Sequence, residues 1–362
     1  MNSGPKVSVV MTTYNHAPYV AQAIRSVLEQ TFGDFEFLVA DDGSSDSTRE
    51  VVSQFADRRL AFFPNVVNRG ACVVTNELIE RARGEYVAVL NSDDYWVSDK
   101  LAYQVDFLDR NRKYGALFGR VAFVDGEGML IPKSTLSFGA VFDQENRSRG
   151  RWLRRFFDEE NCLCHPSVLI RRACYTELGL YNNRYRQVPD WDMWIRLAKK
   201  YEFFVSDREL ISLRILPGEN ASSPTGVNFV RTLNERYFIG MSFFDGMSKE
   251  LLVDGFSDLL RFKDPPSEIH CDIEKALLYF TPSQSLGHVY KVVGLNRLFQ
   301  LLASSRHRSV LESDYRIDDR AFQRLSAEVD VFGPIAGLRG IPSSYLIQEL
   351  MRRVRARLGF AG

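Results

Sequence analysis

The sequence predicts an α/β protein: a doubly wound, mixed but mainly parallel sheet, followed by a mostly helical C-terminal extension. Three observations predict it. Short apolar runs alternate with helix-patterned stretches over the first ninety or so residues, as in a parallel sheet wound with helices on both faces. Polar clusters at 12–15, 41–44 and 91–94 follow three of those runs, at the strand ends where such sheets bind ligands. Beyond about Asn228 the pattern becomes helical with intervening loops.

The elements follow in order. Val7-Ser8-Val9-Val10-Met11 is a short apolar strand. Residues 19–30 carry Val20, Ile24, Val27 and Leu28 at helical spacing. Residues 35–40 form the next strand, and Asp41-Asp42-Gly43-Ser44-Ser45-Asp46 is a turn whose Ser and Asp side chains suit the start of a helix over 48–55. A third strand covers 60–63, a helix over 75–83 is closed by Gly84, and Tyr86-Val87-Ala88-Val89-Leu90 is a fourth, buried strand. After Leu101 the pattern loosens: strands are expected at 115–124, 128–131, 165–170 and within 205–215, a loop entering a helix at 146–155, and a helix over 192–201. The boundary is placed at 227, giving an α/β domain over 1–227 and a helical region over 228–362. The latter includes a Pro265-Pro266 break, a Gly/Pro-rich loop at 333–342 and an amphipathic stretch at 345–358 carrying Arg352, Arg353, Arg355 and Arg357.

Composition narrows the function classes. Among 362 residues, 46 Lys and Arg balance 46 Asp and Glu, so whole-chain electrostatics gives no basis for nucleic-acid binding. Five scattered cysteines (Cys72, Cys162, Cys164, Cys174 and Cys271) fit a reducing compartment better than a disulfide framework. The chain enters its first strand without a secretory leader, and no apolar run approaches the ~18–20 residues that span a bilayer. A cytoplasmic protein is expected, with room for peripheral contact at the inner face of a membrane through the C-terminal arginines.

Neither GxGxxG, GxxxxGK[ST] nor G-x-S-x-G occurs, so phosphate must be handled by another device. Asn91-Ser92-Asp93-Asp94 offers one. Two adjacent carboxylates at the end of a buried strand repel each other, and a divalent cation relieves that repulsion because hard cations take oxygen ligands. An ordinary Asn/Ser/Asp turn is the competing reading of these four residues.

The ordered set Val7 to Asn15, Asp41 to Thr48, Asn68-Arg69-Gly70, Gly84-Glu85-Tyr86 leading to Asp93-Asp94, and Pro189-Asp190-Trp191-Asp192-Met193-Trp194 resembles the family-2 glycosyltransferases, inverting enzymes with a GT-A fold. The resemblance covers residues 1 to about 223. It implies that Thr12 and Tyr14 line a base pocket, and that Asp42, or less favourably Asp41, accepts the imide N–H of the base. It further implies that Arg69 adds positive charge, Asp93 contacts ribose or sugar, and Asp94 binds Mn²⁺ or Mg²⁺. Asp190 is implied as the general base that deprotonates the acceptor hydroxyl, with His165 and Trp191 on the acceptor side. The implied donor is a nucleoside-diphosphate sugar: UDP first, with dTDP presenting the same edge. The implied acceptor is a saccharide or lipid-linked hydroxyl in cell-surface polysaccharide synthesis.

Three positions depart from the family pattern. Pro189 stands where Glu is usual, Leu216 where a His would assist phosphate or metal, and Asn91 where a first Asp is frequent. Either the metal has fewer protein ligands, or Arg214 or Asn220 compensates for Leu216. Two other classes stay open: a nucleotidyltransferase, disfavoured by Thr12-Thr13-Tyr14-Asn15 in place of a Gly-rich basic loop, and a non-catalytic sugar-nucleotide-binding protein.

Overall fold

A computed structural model describes residues 4–216, 225–281 and 287–329, with Ile347, Leu350 and Met351. The loop expected at 333–342, Asn220 and the C-terminal arginines lie outside the described residues.

The first half winds as βα units: β1 (Val7–Thr13), α1 (Val20–Leu28), β2 (Phe35–Asp41), α2 (Thr48–Ser53), β3 (Leu60–Pro64), α3 (Ala71–Arg81) and β4 (Tyr86–Asn91). There follow β5 (Tyr95–Trp96), α4 (Lys100–Arg110), β6 (Tyr114–Val124), β7 (Leu130–Ile131), α5 (Arg149–Glu159), β8 (Leu169–Arg171), α6 (Arg172–Leu178), α7 (Pro189–Lys200) and β9 (Glu202–Arg214). The C-terminal region supplies α8 (Gly226–Ser242), α9 (Lys249–Phe256), α10 (Glu268–Leu278), α11 (Gly287–Ala303), α12 (Ser305–Ser313) and α13 (Asp319–Glu328).

One sheet carries the order β3-β2-β1-β4-β8-β6-β9-β5, with β7 beside β6. The β3-β2-β1-β4 half is parallel, β8 runs antiparallel to β4 and β6, and β9 is parallel to β6. The mixed sheet, its helices on both faces and the helical extension agree with the sequence. Several boundaries differ. Residues 165–167 form a 3-10 turn, because Pro166 cannot extend a ladder, and the strand shrinks to β8. Helix α7 starts at Pro189, not Asp192, since proline's missing N–H costs nothing in the first turn. Helices α4 and α6, where the sequence pattern was loose, complete the layers.

Side-chain alternation splits the core in two. Val7, Val9 and Met11 face α1 and α4 with Ile24, Val27, Leu101 and Val105. Val10, Leu38 and Val89 face the opposite layer, which runs through α3, α5 and α7 into Ile239, Phe243, Phe256 and Tyr290 of the C-terminal helices. Helices α5 and α9 cross closely: a Cβ on Gly255 would sit 2.2 Å from the Gly150 carbonyl oxygen, so this crossing needs glycine. Within this layer Phe157 of α5 joins the sheet's helices to the C-terminal helical layer, stacked on Tyr290 at 4.4 Å and edge-on to Phe243 and Phe256.

Phe157→Ala is expected to cost about 3–5 kcal/mol by leaving a cavity at this junction. Urea unfolding with one cooperative transition at a lower midpoint is the expected result; two separate transitions in the wild type would show that the junction does not couple the layers.

Candidate active site

Parallel register brings the three polar clusters together. Thr13 pairs with Asp41 and Thr12 with Asn91, so the ends of β2, β1 and β4 lie side by side. The following loops are tied to one another. Asn15 adopts φ +53° and accepts from the Ser45 amide through Oδ1 (2.8 Å), while its own amide donates to Ser44 Oγ (2.9 Å). His16 Nδ1 meets Ser92 Oγ at 2.7 Å, linking the first loop to the third. Thr12 is hydrogen-bonded to the Thr75 hydroxyl at 3.0 Å, and Tyr14, 44% exposed, presents its ring at the surface.

Asp41 is fully buried: Oδ2 accepts from the Ser44 amide (3.1 Å) and Arg49 (3.2 Å), whereas buried Oδ1 meets no hydrogen-bond donor. Asp42 accepts from the Arg69 amide through Oδ1 (2.8 Å) and the Gly70 amide through Oδ2 (2.9 Å). It thereby fastens the 65–70 loop over the strand ends. Gly43, at φ +77°, lets the Val67-Asn68 backbone approach to 2.6 Å of where a Cβ would stand. The Arg69 guanidinium turns away to grip Glu77 with both ends.

Asp93 and Asp94 are 8% and 2% exposed. Asp94 Oδ1 accepts from the Arg214 amide (2.8 Å) and Oδ2 from Asn91 Nδ2 (3.0 Å). Burial, then repulsion from Asp93, raises the Asp94 carboxyl well above the usual carboxylate range. Arg214 underpins the pair. Its Nε donates to the Asp93 carbonyl (2.8 Å), Nη1 to the carbonyls of Asp125 and Gly126, and Nη2 to Gln22 (2.6 Å). Tyr19 and Tyr95 stack on it at 4.8 and 5.7 Å. Arg214 thus acts as a scaffold cation beneath the carboxylates, and buried Leu216 supplies no ligand in its side chain.

These residues fit a divalent cation in one particular way. Among the described residues no three His, Cys, Asp or Glu side chains converge, so a protein-only cage is absent there. A desolvated carboxylate whose charge is opposed by its neighbour suits a cation whose remaining ligands are diphosphate oxygens and water. Asp94 is the residue that would hold it.

Asp190 occupies the first turn of α7. Its Oδ1 accepts from the Trp191 amide (2.9 Å) and Oδ2 from Asn161 Nδ2 (2.6 Å), and burial raises the carboxyl to about 6. Asp192 faces away, paired with Arg196 at 2.8 Å. His165 Nε2 meets the Tyr181 hydroxyl at 2.8 Å, which continues to Tyr175 at 2.9 Å; burial lowers the imidazole to about 4, so it is neutral at pH 7. Trp191 departs from the sequence reading. It is fully buried in the core under α7 and has no face to offer a sugar, because the helical period that exposes Asp190 turns the next residue inward.

Two thiols, buried Cys164 and half-buried Cys72, feel the charge of Asp190, and Cys164 also that of Asp94. Cys164 is raised far above its ordinary value by burial and by the charges of both Asp94 and Asp190. Cys72, in the first turn of α3, is pushed up to about 12 by burial, then by Asp190 and Glu235. Sequence reasoning missed Asn161, Tyr181 and Glu235. Asn161 sits in a turn with no motif around it, and Glu235 lies in the region to which the sequence assigned no role.

The family model for glycosyl transferase family 2 matches residues 8–178. The putative teichuronic acid biosynthesis glycosyltransferase TuaG of Bacillus subtilis is 40% identical over 201 residues, covering 55% of this chain and 74% of its own. The UDP-Glc:α-D-GlcNAc-diphosphoundecaprenol β-1,3-glucosyltransferase WfgD of Escherichia coli is 39% identical over 124 residues, 34% of this chain and 49% of that protein. The structure of S. aureus TarS 1–349 in complex with UDP-GlcNAc superposes with TM-score 0.52 at 19% identity, covering 92% of this chain and 95% of that one, a likeness of fold. The chain belongs to glycosyl transferase family 2 and has the GT-A fold.

The raised carboxyl of Asp190 has a stability consequence. Between about pH 4 and 6 the folded chain binds a proton that the unfolded chain has lost, so stability falls as pH rises through that window. Asp190→Asn removes this loss, and its melting temperature relative to wild type is expected to be higher at pH 8 than at pH 5. An equal difference at both values would mean that Asp190 is not held desolvated.

Proposed function

We propose that the chain is an inverting glycosyltransferase that moves a sugar from a UDP-sugar to a hydroxyl of a saccharide or lipid-linked acceptor, with Mn²⁺ or Mg²⁺ bound alongside the diphosphate. The observation that carries the reading is the geometry of two carboxylates: Asp94 just beyond β4, held by the Arg214 and Asn91 amides beside the polar ends of β1 and β2, and Asp190 at the head of α7, held by the Asn161 and Trp191 amides. TarS 1–349 has been solved with UDP and with UDP-GlcNAc, and WfgD is named for transfer from UDP-Glc to a diphosphoundecaprenol-linked sugar. Both support a UDP donor, and the WfgD name supports a lipid-linked acceptor.

In this reading Tyr14 stacks on the uracil and Asp42 accepts its imide N–H. A carboxylate has about four lone-pair sites, so the bonds from Arg69, Gly70 and, at 3.4 Å, Asn65 leave capacity for one more. Thr12 lines the donor pocket, Asp41 is buried behind it, Arg69 contributes through the backbone amide that orients Asp42 and not through its guanidinium, and Asp93 contacts ribose or sugar. Asp94 would hold the cation, whose charge would stabilise the departing nucleoside diphosphate. Asp190 takes the acceptor hydroxyl proton as that oxygen attacks the anomeric carbon in line, and the configuration inverts. A carboxyl near 6 is a stronger base than an ordinary carboxylate and is still ionised at pH 7. His165, neutral and oriented by Tyr181, lines the acceptor side as a hydrogen-bonding group.

Asp190→Asn is expected to lower kcat by about 10²–10⁴-fold, the range for loss of a positioned base. For the wild type, kcat/KM is expected to rise with pH through about 6 and then level. A limb near 4, or an active Asp190→Asn variant, would remove Asp190 from this role. Thermal shift with UDP is expected to need Mn²⁺ or Mg²⁺ for its full size and to vanish in Asp94→Ala; a metal-independent UDP shift that survives that substitution would contradict the cation's place.

A further inference from the structure

Asp190 is held by two segments distant from each other in sequence, and both are gripped by adjacent residues of α8. Entering α7, residues 186–188 turn three consecutive backbone amides toward one carboxylate. Glu235 Oε1 accepts from Arg186 (2.8 Å), and Oε2 accepts from Gln187 (2.8 Å) and Val188 (3.1 Å). Glu235 is 3% exposed. On the other side, Asn161 gives Nδ2 to Asp190 and takes the Leu163 amide on Oδ1 (3.1 Å), which fixes its rotamer. Asn161 follows Glu160, which closes α5 at φ +65°, a conformation a non-glycine residue holds only when its surroundings impose it. Arg236 pairs with the Glu160 carboxylate, and the pair is largely buried.

We propose that Glu235 and Arg236 are positioning residues for Asp190, and hence that the helical C-terminal region completes the active site. The inference rests on the reading of Asp190 as general base. Glu235 sets the start of α7, and with it the height of the Asp190 backbone. Arg236 holds the strained turn that delivers Asn161 to the carboxylate. A carboxylate suits Glu235's task because both oxygens accept, and three amides at the head of a helix favour negative charge. Glutamine would keep one accepting oxygen and set an N–H₂ against amide donors. Cys72, Cys164 and Tyr181 feel the Asp190 charge and are each raised by burial, while the carboxylate itself is held by the Asn161 and Trp191 amides, so the frame that places those amides governs how Asp190 titrates.

The test compares Glu235→Gln, Glu235→Asp, Arg236→Met and Asp190→Asn in the full chain. The apparent pKa of Asp190 is read by ¹³C NMR of its carboxyl carbon, UDP affinity by calorimetry with Mn²⁺, and kcat with whichever of UDP-glucose and UDP-GlcNAc the wild type turns over. Glu235→Gln and Arg236→Met are expected to raise Asp190 further above 6, as the Trp191 and Asn161 amides that hold it down lose their positions, and to lower kcat at pH 7 at least tenfold, with UDP affinity within twofold of wild type and partial recovery in Glu235→Asp. An unmoved Asp190 titration, or a kcat loss matched by an equal loss of UDP affinity, would overturn the proposal. If Glu235→Gln does not fold, Arg236→Met carries the same comparison from the other side. Asp190→Asn separates the two levels: full activity in that variant sinks the base itself, whereas an inactive Asp190→Asn beside an unaffected Glu235→Gln sinks only the positioning role.

Discussion

Two carboxylates at the end of β4 are held out of water against their mutual repulsion, and much of the site is arranged around that fact. Asp94 receives one backbone amide and one side-chain amide, while the buried Arg214 beneath the pair directs its Nε to the Asp93 carbonyl and further donors to Asp125, Gly126 and Gln22. Arg214 fixes the turn and its charge partly offsets the rise of the Asp94 carboxyl. The net shift of the Asp94 carboxyl is still upward, and the parallel register of β2, β1 and β4 sets the polar clusters at 12–15 and 41–44 beside this turn.

The same economy operates at Asp190. Burial lifts its carboxyl to about 6, and the amides of Asn161 and Trp191 limit that rise. More donors would make it a weaker base; fewer would leave it protonated at neutral pH. The frame that sets this balance extends beyond the α/β domain through Glu235 and Arg236, so the helical region shares both the hydrophobic layer under α7 and the polar anchoring of its first turn.

The sheet was legible because apolar strands and helix-patterned stretches alternate cleanly up to Leu90, and because the polar clusters follow the strands directly. Helices α4 and α6 were not, since both interleave charged residues with their apolar face, as in Lys100, Asp106 and Asp109 of α4. Within the site, Asp42, Asp94 and Asp190 were legible as motif residues. Their partners were not: Asn161, Tyr181 and Arg214's scaffold role come from segments that meet only in the folded chain. Trp191 shows the limit of adjacency, since neighbours on a helix point about 100° apart and the motif alone does not say which is outside. Pro189 becomes intelligible as the first helical residue, a position where no N–H is needed.

The central claim is transfer of a glycosyl group with inversion, as distinct from nucleotidyl transfer on a related sheet. Proton and phosphorus NMR of a single reaction mixture addresses it directly, with a UDP-sugar donor, Mn²⁺ and a saccharide acceptor. The account predicts UDP as the released nucleotide and a product whose anomeric coupling is opposite to that of the donor. Release of UMP or pyrophosphate, or a product that keeps the donor's anomeric configuration, would contradict it.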